Sequence, residues 1–188
     1  MKKIQFFSYF LLFSILGVSL LPPAVCSAVR PEKVHLAELK KTQSYLHDGL
    51  FVGGDRAIAD VVVRDIRRAS NAGFERLVID LEGSRNGEPV AMQRPPYYQI
   101  AVSPEERRIV FTLWGHSKLQ FEARKVLNAF KKSRVVDRLE LLPKLEEDSW
   151  TFVAGLKSGE ESVEVFELSS PARIIVDIRP GKGERIKK

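Results

Sequence analysis

The hexapeptide RLVIDL at residues 76–81 decides the fold, because it returns as RIIVDI at residues 173–178. A weaker copy, RIVFTL at residues 108–113, carries Thr where the other two carry Asp. In each copy apolar side chains at alternate positions face one way, and the residues between them face the other. This period of two predicts half-buried β-strands, and we infer that one strand pattern was used at least twice.

Charged residues hold matching places in the two closest copies. Arg76 and Asp80 share one face of the first copy, and Arg173 and Asp177 share one face of the second. Opposite charges on neighbouring strands stabilise a sheet, so we interpret these residues first as cross-strand ion pairs. Their guanidinium groups are also candidates for bidentate bonds to the carboxylates of a ligand.

Eight short runs rich in β-branched and aromatic residues occupy most of the chain. They cover residues 61–66, 74–81, 97–103, 108–114, 135–141, 149–156, 163–168 and 173–178. Gly, Pro, Asn and Ser between several of these runs are typical of hairpin turns. About four runs precede residue 115 and four follow residue 134, which predicts an all-β sandwich of two related four-stranded sheets.

One segment between the two halves has helical rather than strand periodicity. Ser117 followed by Gln120 forms a capping-box pattern, and Lys131 and Lys132 suit the negative end of a helix dipole. The apolar residues at helical spacing are Leu119, Ala123, Val126, Leu127 and Phe130. We expect a single amphipathic connecting helix that covers an edge or the mouth of the fold.

The N-terminus has the order of a secretory signal. Lys2 and Lys3 are followed by an apolar run over residues 6–21, then by Pro22-Pro23 and the small residues at 24–28. We predict cleavage near Ala28 and a periplasmic location. A retained membrane anchor is the alternative, and so is lipidation of Cys26, although Val25 stands where a lipid-attachment box has a small residue.

The predicted organisation is a signal peptide (1–28), a polar leader (29–56) with a short helix around 36–46, the sandwich domain (57–180) and a basic tail (181–188). The 188 residues carry a formal charge of +6, and removing Lys2 and Lys3 leaves +4. We interpret that surplus as an ordinary solvated surface rather than a nucleic-acid site. One Cys and three separated His residues predict no disulfide, no structural zinc and no cofactor.

Aromatic and basic side chains are the candidate ligand-binding residues. Tyr97 and Trp114 have the opposite parity to the apolar residues of their strands, so either ring could stack on a sugar. The alternative is that both rings are buried under the helix or a loop. Arg76, Arg108 and Arg173 are the candidates for binding carboxylates.

The chain resembles the AMIN domain, a noncatalytic module of periplasmic N-acetylmuramoyl-L-alanine amidases and of some pilus secretins. The resemblance covers roughly residues 61–180. It is carried by FERLVIDLEG (74–83), YYQIAVS (97–103), RRIVFTLWG (107–115) and VEVFELSSPARIIVDI (163–178). It implies a β-sandwich of two related four-stranded sheets that binds peptidoglycan in the cell envelope. Such a module localises the protein that contains it, often to the cell-division site.

The amidase activity does not carry over with the resemblance. His35, His47 and His116 are isolated, and no pair of them has the spacing of zinc ligands. A search for nucleophile elbows, phosphate loops and dinucleotide fingerprints finds none, so we predict that the protein is not an enzyme. The expected partner is peptidoglycan, and the alternative is another envelope protein, such as a secretin or an amidase, bound by strand addition. A membrane is a partner only if the signal segment is retained.

Overall fold

The computed structural model describes residues 33–144 and 148–181. Within them the chain forms twelve strands and one helix. These are β1 (Val34–Leu36), β2 (Gly49–Gly53), β3 (Asp60–Asn71), β4 (Phe74–Arg85), β5 (Glu88–Val90), β6 (Tyr98–Ser103), β7 (Arg108–Trp114), β8 (His116–Leu119), α1 (Ala123–Phe130), β9 (Val136–Leu141), β10 (Ser149–Leu156), β11 (Ser162–Leu168) and β12 (Arg173–Arg179). The predicted signal peptide and nearly all of the predicted basic tail lie outside the described residues.

The strands form two mixed sheets. Sheet A has the order β1-β2-β6-β7-β10-β9, and sheet B has the order β11-β12-β4-β3-β8 with β5 paired to β4. The β1–β2 and β3–β8 pairs are parallel, while the other neighbours are antiparallel. The prediction of a mostly β fold with one helix is confirmed.

Each sheet is wider than the four strands that we predicted. All eight predicted runs contribute to strands, but β1, β2, β5 and β8 add to them. Three of these extra strands have three or four residues, and β2 has five with a glycine at each end. Such segments are too short to show an alternating pattern, so periodicity could not reveal them.

The four strands that the predicted runs supply to each sheet have the same arrangement in both sheets. β7 and β10 are antiparallel neighbours in sheet A, as β4 and β12 are in sheet B. The two copies of the repeated hexapeptide therefore pair with each other, with Val78 opposite Ile175 at their centre. The halves of the chain do not form one sheet each, because each half supplies one hairpin to each sheet.

A single large core draws its residues from both sheets. Its members include Ile100 and Phe111 from sheet A, and Leu77 and Ile174 from sheet B. The ring of Phe111 stacks on that of Phe152 with 4.3 Å between centroids, directly across the β7–β10 pair. Residues of the opposite parity lie on the outer faces of the two sheets, and on sheet B three of them, Val78, Phe166 and Ile175, form a small second buried cluster.

Helix α1 begins later than the capping-box pattern predicts. Ser117 and Leu119 belong to β8, and Gln120 donates its backbone N–H to the Val63 carbonyl, so sheet pairing takes this segment. Val126 and Phe130 are buried in the core, and α1 contacts β3 of one sheet and β9 of the other. The predicted single helix is present and packs against both sheets.

The predicted helix at residues 36–46 is wrong, and the leader is not a separate segment from residue 33 onward. β1 and β2 extend sheet A. Leu46 exchanges backbone hydrogen bonds with Val163 at 2.7 and 2.8 Å, and the carbonyl of Glu38 accepts one from Glu167. Because the edge of β11 satisfies these backbone groups, the segment stays extended.

Candidate functional site

Tyr97 and Trp114 meet on the outer face of sheet A. Tyr97 immediately precedes β6, Trp114 ends β7, and their backbones are joined by a hydrogen bond of 2.9 Å from Trp114 N–H to Tyr97 C=O. The ring centroids are 5.1 Å apart at 48°. Both side chains are half-buried, and neither is fully enclosed by α1 or a loop. The predicted parity is right, since Tyr98 and Leu113 point into the core.

A basic side chain completes the aromatic pair. The Arg56 guanidinium lies over the Tyr97 ring, 4.4 Å from its centroid, which is cation–π geometry. Arg56 is exposed and has no carboxylate partner among the described residues. Its charge is therefore available to a ligand.

Glycine holds the loop of Arg56 against β6. Asp55 donates its N–H to the Pro95 carbonyl, and its own carbonyl accepts from Tyr97 N–H at 3.0 Å. Gly54 makes this approach possible: its φ is +80°, and a Cβ there would lie 1.9 Å from the Pro96 carbonyl oxygen. Only glycine fits this position without moving the loop.

The aromatic pair opens onto a cavity of about 380 Å³. Its lining residues are Arg56, Ile58, Ala59, Tyr97, Trp114, Gly115, His116 and Asp148. The imidazole of His116 lies between two carboxylates, with Nδ1 3.2 Å from Asp60 and Nε2 3.0 Å from Asp148. The cavity thus combines two aromatic rings with a cation on one loop and a carboxylate on another. We name the cavity with these eight lining residues the sheet A pocket.

A neutral polar row continues from the pocket along the outer face of sheet A. Gln99, Thr112 and Thr151 lie side by side on β6, β7 and β10. The Gln99 amide donates to the Tyr97 hydroxyl at 2.8 Å, and the two threonine hydroxyls are 3.3 Å apart. These groups can exchange hydrogen bonds with hydroxyl groups of a ligand, and none of them carries a charge.

Arg108 shares this face but lies at its far end. It begins β7 while Trp114 ends it, so about 20 Å separates them along the strand. The Arg108 guanidinium is 2.6 Å from the exposed carboxylate of Glu106. Arg108 is therefore not part of the sheet A pocket.

Arg76 and Arg173 lie on the outer face of sheet B, across the core from the aromatic pair. Arg76 donates two hydrogen bonds to Asp177, of 2.6 and 2.9 Å, and this bonding raises its pKa. Arg173 pairs with Asp80 at 3.2 Å. The predicted cross-strand ion pairs are confirmed. The five predicted ligand-binding residues do not form one site.

A cluster of buried side chains contacts the loop that carries Arg56 from the core side. Glu167 of β11 is 3% exposed, accepts the Gly54 N–H at 2.7 Å and lies 3.3 Å from Arg94. Tyr98 is fully buried beside it. Burial, followed by the charge of Glu167, raises the Tyr98 pKa well above its ordinary value.

Sequence reasoning missed Arg56, His116 and Asp148 as site residues. Arg56 follows the Gly53-Gly54 pair, which reads as an ordinary turn. Asp148 ends an acidic loop whose residues 145–147 lie outside the described residues. The useful signal was the parity of Tyr97 and Trp114, because residues that flank an outward aromatic pair are candidates for the same surface.

No family model matches this chain. Neither a curated protein nor a solved structure matches it. The described residues include no cluster of three or more potential metal ligands, and no helix among them is long and apolar enough to cross a membrane. The resemblance to the AMIN domain therefore rests on the sequence motifs.

Proposed function

We propose that this protein is a noncatalytic, AMIN-like β-sandwich module of the bacterial periplasm that binds peptidoglycan through the sheet A pocket. The observation that carries the proposal is the half-buried, outward-facing pair of Tyr97 and Trp114, with Arg56 above it and no carboxylate partner for Arg56 among the described residues. An aromatic pair on a rigid sheet end offers apolar area at a low entropic cost.

The chemistry of peptidoglycan suits each part of this surface. The apolar face of a sugar ring can stack on Tyr97 or Trp114, while sugar hydroxyls and acetamido groups meet Gln99, Thr112 and Thr151. Arg56 supplies a bidentate donor for a carboxylate of the peptide stem. The position of these residues at the ends and on the outer face of packed strands holds the surface in place without a ligand.

The test is co-sedimentation of the chain from residue 29 onward with protein-free sacculi. We expect saturable pelleting that Trp114→Ala weakens about tenfold or more, as loss of an interface anchor does. Arg76→Ala and Arg108→Ala are matched controls, because these arginines lie outside the pocket, and they should bind as wild type. Circular dichroism checks that each variant is folded. No pelleting of the folded wild type at low salt would reject the proposal.

A second candidate is docking of another envelope protein by strand addition. The observation in its favour is β1, whose outer edge has no partner strand among the described residues. Leu36 of β1 is 80% exposed, and Leu39, which follows the strand, is 69% exposed. An unpaired edge with apolar side chains is a template for an added strand. Pull-down from an envelope extract that Leu36→Lys abolishes, together with no binding to sacculi, would favour this candidate.

A further inference from the structure

The sheet A pocket carries opposite charges on two separate loops. Arg56 stands over Tyr97, and no carboxylate among residues 33–144 and 148–181 pairs with its guanidinium. The carboxylate of Asp148 is 81% exposed and touches His116 through one oxygen at 3.0 Å. Both residues line the same 380 Å³ cavity, and no ion pair joins them. A pocket of this kind suits a ligand that is itself a zwitterion.

The position of Asp148 is fixed by two contacts. Its backbone carbonyl accepts a hydrogen bond of 2.8 Å from Gly115 N–H, and its side chain meets His116 Nε2. His116 is held in turn by Asp60 and by its own backbone bond to the Ala59 carbonyl, of 2.6 Å. His116 therefore acts as a positioning residue that presents the Asp148 carboxylate at the pocket.

The Trp114 ring lines the cavity together with these two charges. The face of an indole attracts cations, and an ammonium group is bound best where a carboxylate is also within reach. A guanidinium matches the planar carboxylate group in a bidentate manner. The pocket thus offers Trp114 and Asp148 to an ammonium group and Arg56 to a carboxylate.

We propose that the sheet A pocket binds a zwitterionic amino-acid end group, with an ammonium and a carboxylate on one carbon, of an uncross-linked peptidoglycan stem. This inference rests on the proposed function and deepens it. Cross-linking or acylation of the amine removes the ammonium charge, so the pocket discriminates uncross-linked stems from cross-linked ones. The adjoining Gln99 and Thr112 remain available to the glycan.

The test measures binding of the chain from residue 29 onward to sacculi in three forms. The forms are untreated sacculi, sacculi whose amines are acetylated, and sacculi whose carboxylates are amidated. We expect each treatment to weaken wild-type binding about threefold, the scale of an exposed ion pair. Asp148→Asn should cause a similar loss on untreated sacculi and no further loss on acetylated ones. Arg56→Gln should likewise weaken binding to untreated sacculi and cause no further loss on sacculi whose carboxylates are amidated.

Three outcomes would overturn the inference. If acetylation leaves wild-type binding unchanged, the pocket does not recognise an ammonium group, and the proposed function still stands. An equal loss for Asp148→Asn on untreated and acetylated sacculi would assign that residue a structural role. Absence of wild-type binding to all three forms would reject the proposed function and this inference together. Arg108→Gln is the matched control, because it removes a paired arginine from the far end of the same face.

Discussion

The two outer faces of the domain are built from related strands but differ in chemistry. On sheet B, Arg67 and Arg173 share Asp80, and Arg76 is bonded to Asp177. On sheet A, the row next to the aromatic pair consists of neutral Gln99, Thr112 and Thr151. These three arginines of sheet B are thus paired with carboxylates, whereas Arg56 beside sheet A lies over the Tyr97 ring and has no carboxylate partner among the described residues.

One position of the repeated hexapeptide accounts for much of this difference. The fifth residue is Asp80 in β4 and Asp177 in β12, and each pairs with an arginine of the other copy. In the third copy it is Thr112, which lies opposite Thr151. Replacing a carboxylate by a hydroxyl removes the charge and leaves groups that can hydrogen-bond a neutral ligand. The same strand pattern therefore serves stability on one face and, in our account, recognition on the other.

The largest expected effect is on sheet B. Asp177 is fully buried and accepts bonds from Arg76 and Lys41, so Asp177→Asn removes the carboxylate bonded to Arg76 and leaves Lys41 only the more distant Glu164 among the described residues. We expect the free energy of unfolding to fall by about 2–3 kcal/mol, measured by urea denaturation. Sacculus binding of the folded variant should equal that of wild type. A specific loss of binding would show that the two faces do not have separate roles.

The next effect concerns the loop that carries Arg56. Gly54→Ala introduces a Cβ at a φ of +80° against the Pro96 carbonyl. We expect a cost of about 2 kcal/mol in unfolding free energy and weaker binding, because the loop must move. Gly73→Ala is the control: its φ of +84° is similar, but no atom lies within 4 Å of the added Cβ. It should lose stability without losing binding. Equal binding by both variants would contradict the role of the loop.

A pair of arginine variants compares the two faces directly. Arg76→Ala should lower the free energy of unfolding by about 1 kcal/mol and should leave binding unchanged, because Lys41 is then the one cation among the described residues that still bonds Asp177. Arg56→Ala should leave stability within about 0.5 kcal/mol of wild type, as surface changes do, and should weaken sacculus binding about threefold. Chemical denaturation and co-sedimentation measure the two properties. The reverse pattern would exchange the roles assigned to the faces.

The smallest effect is an alkaline loss of stability through Tyr98. Because its folded-state pKa is raised, the unfolded chain releases the phenolic proton first as the pH passes 10. The unfolded state then binds fewer protons, so stability falls with rising pH, by up to about 1 kcal/mol at pH 10.5. The free energy of unfolding, measured by chemical denaturation at pH 9 and 10.5, should fall less between these two pH values for Tyr98→Phe than for wild type. Identical pH slopes for both proteins would contradict the assignment.

The strands that alternate regularly were predictable, because burial on one face imposes a period of two. RLVIDL and RIIVDI show this, and so does the correct parity of Tyr97 and Trp114. Segments whose structure depends on distant partners were not predictable. The helix predicted at residues 36–46 gave way to pairing with the β11 edge, and Leu119 was taken into β8.

The candidate site was predictable only in part for the same reason. Parity places Tyr97 and Trp114 on an outer face, but it does not reveal which residues stand across from them. Arg56 reaches Tyr97 through a loop that Gly54 allows to approach, and no local pattern encodes that contact. Arg76 and Arg173 were candidates both for ion pairs and for ligand carboxylates, and the register, which places Asp177 and Asp80 opposite them, decides for the ion pairs.

The most direct test of the aromatic surface uses the fluorescence of Trp114. The chain has two tryptophans, and Trp150 is buried in the core while Trp114 is half-exposed. Iodide should therefore quench Trp114 preferentially. Titration with soluble peptidoglycan fragments should shift the emission to the blue and protect Trp114 from iodide, with Arg76→Ala behaving as wild type. Fragments that bind while Trp114 remains fully open to iodide would contradict the account.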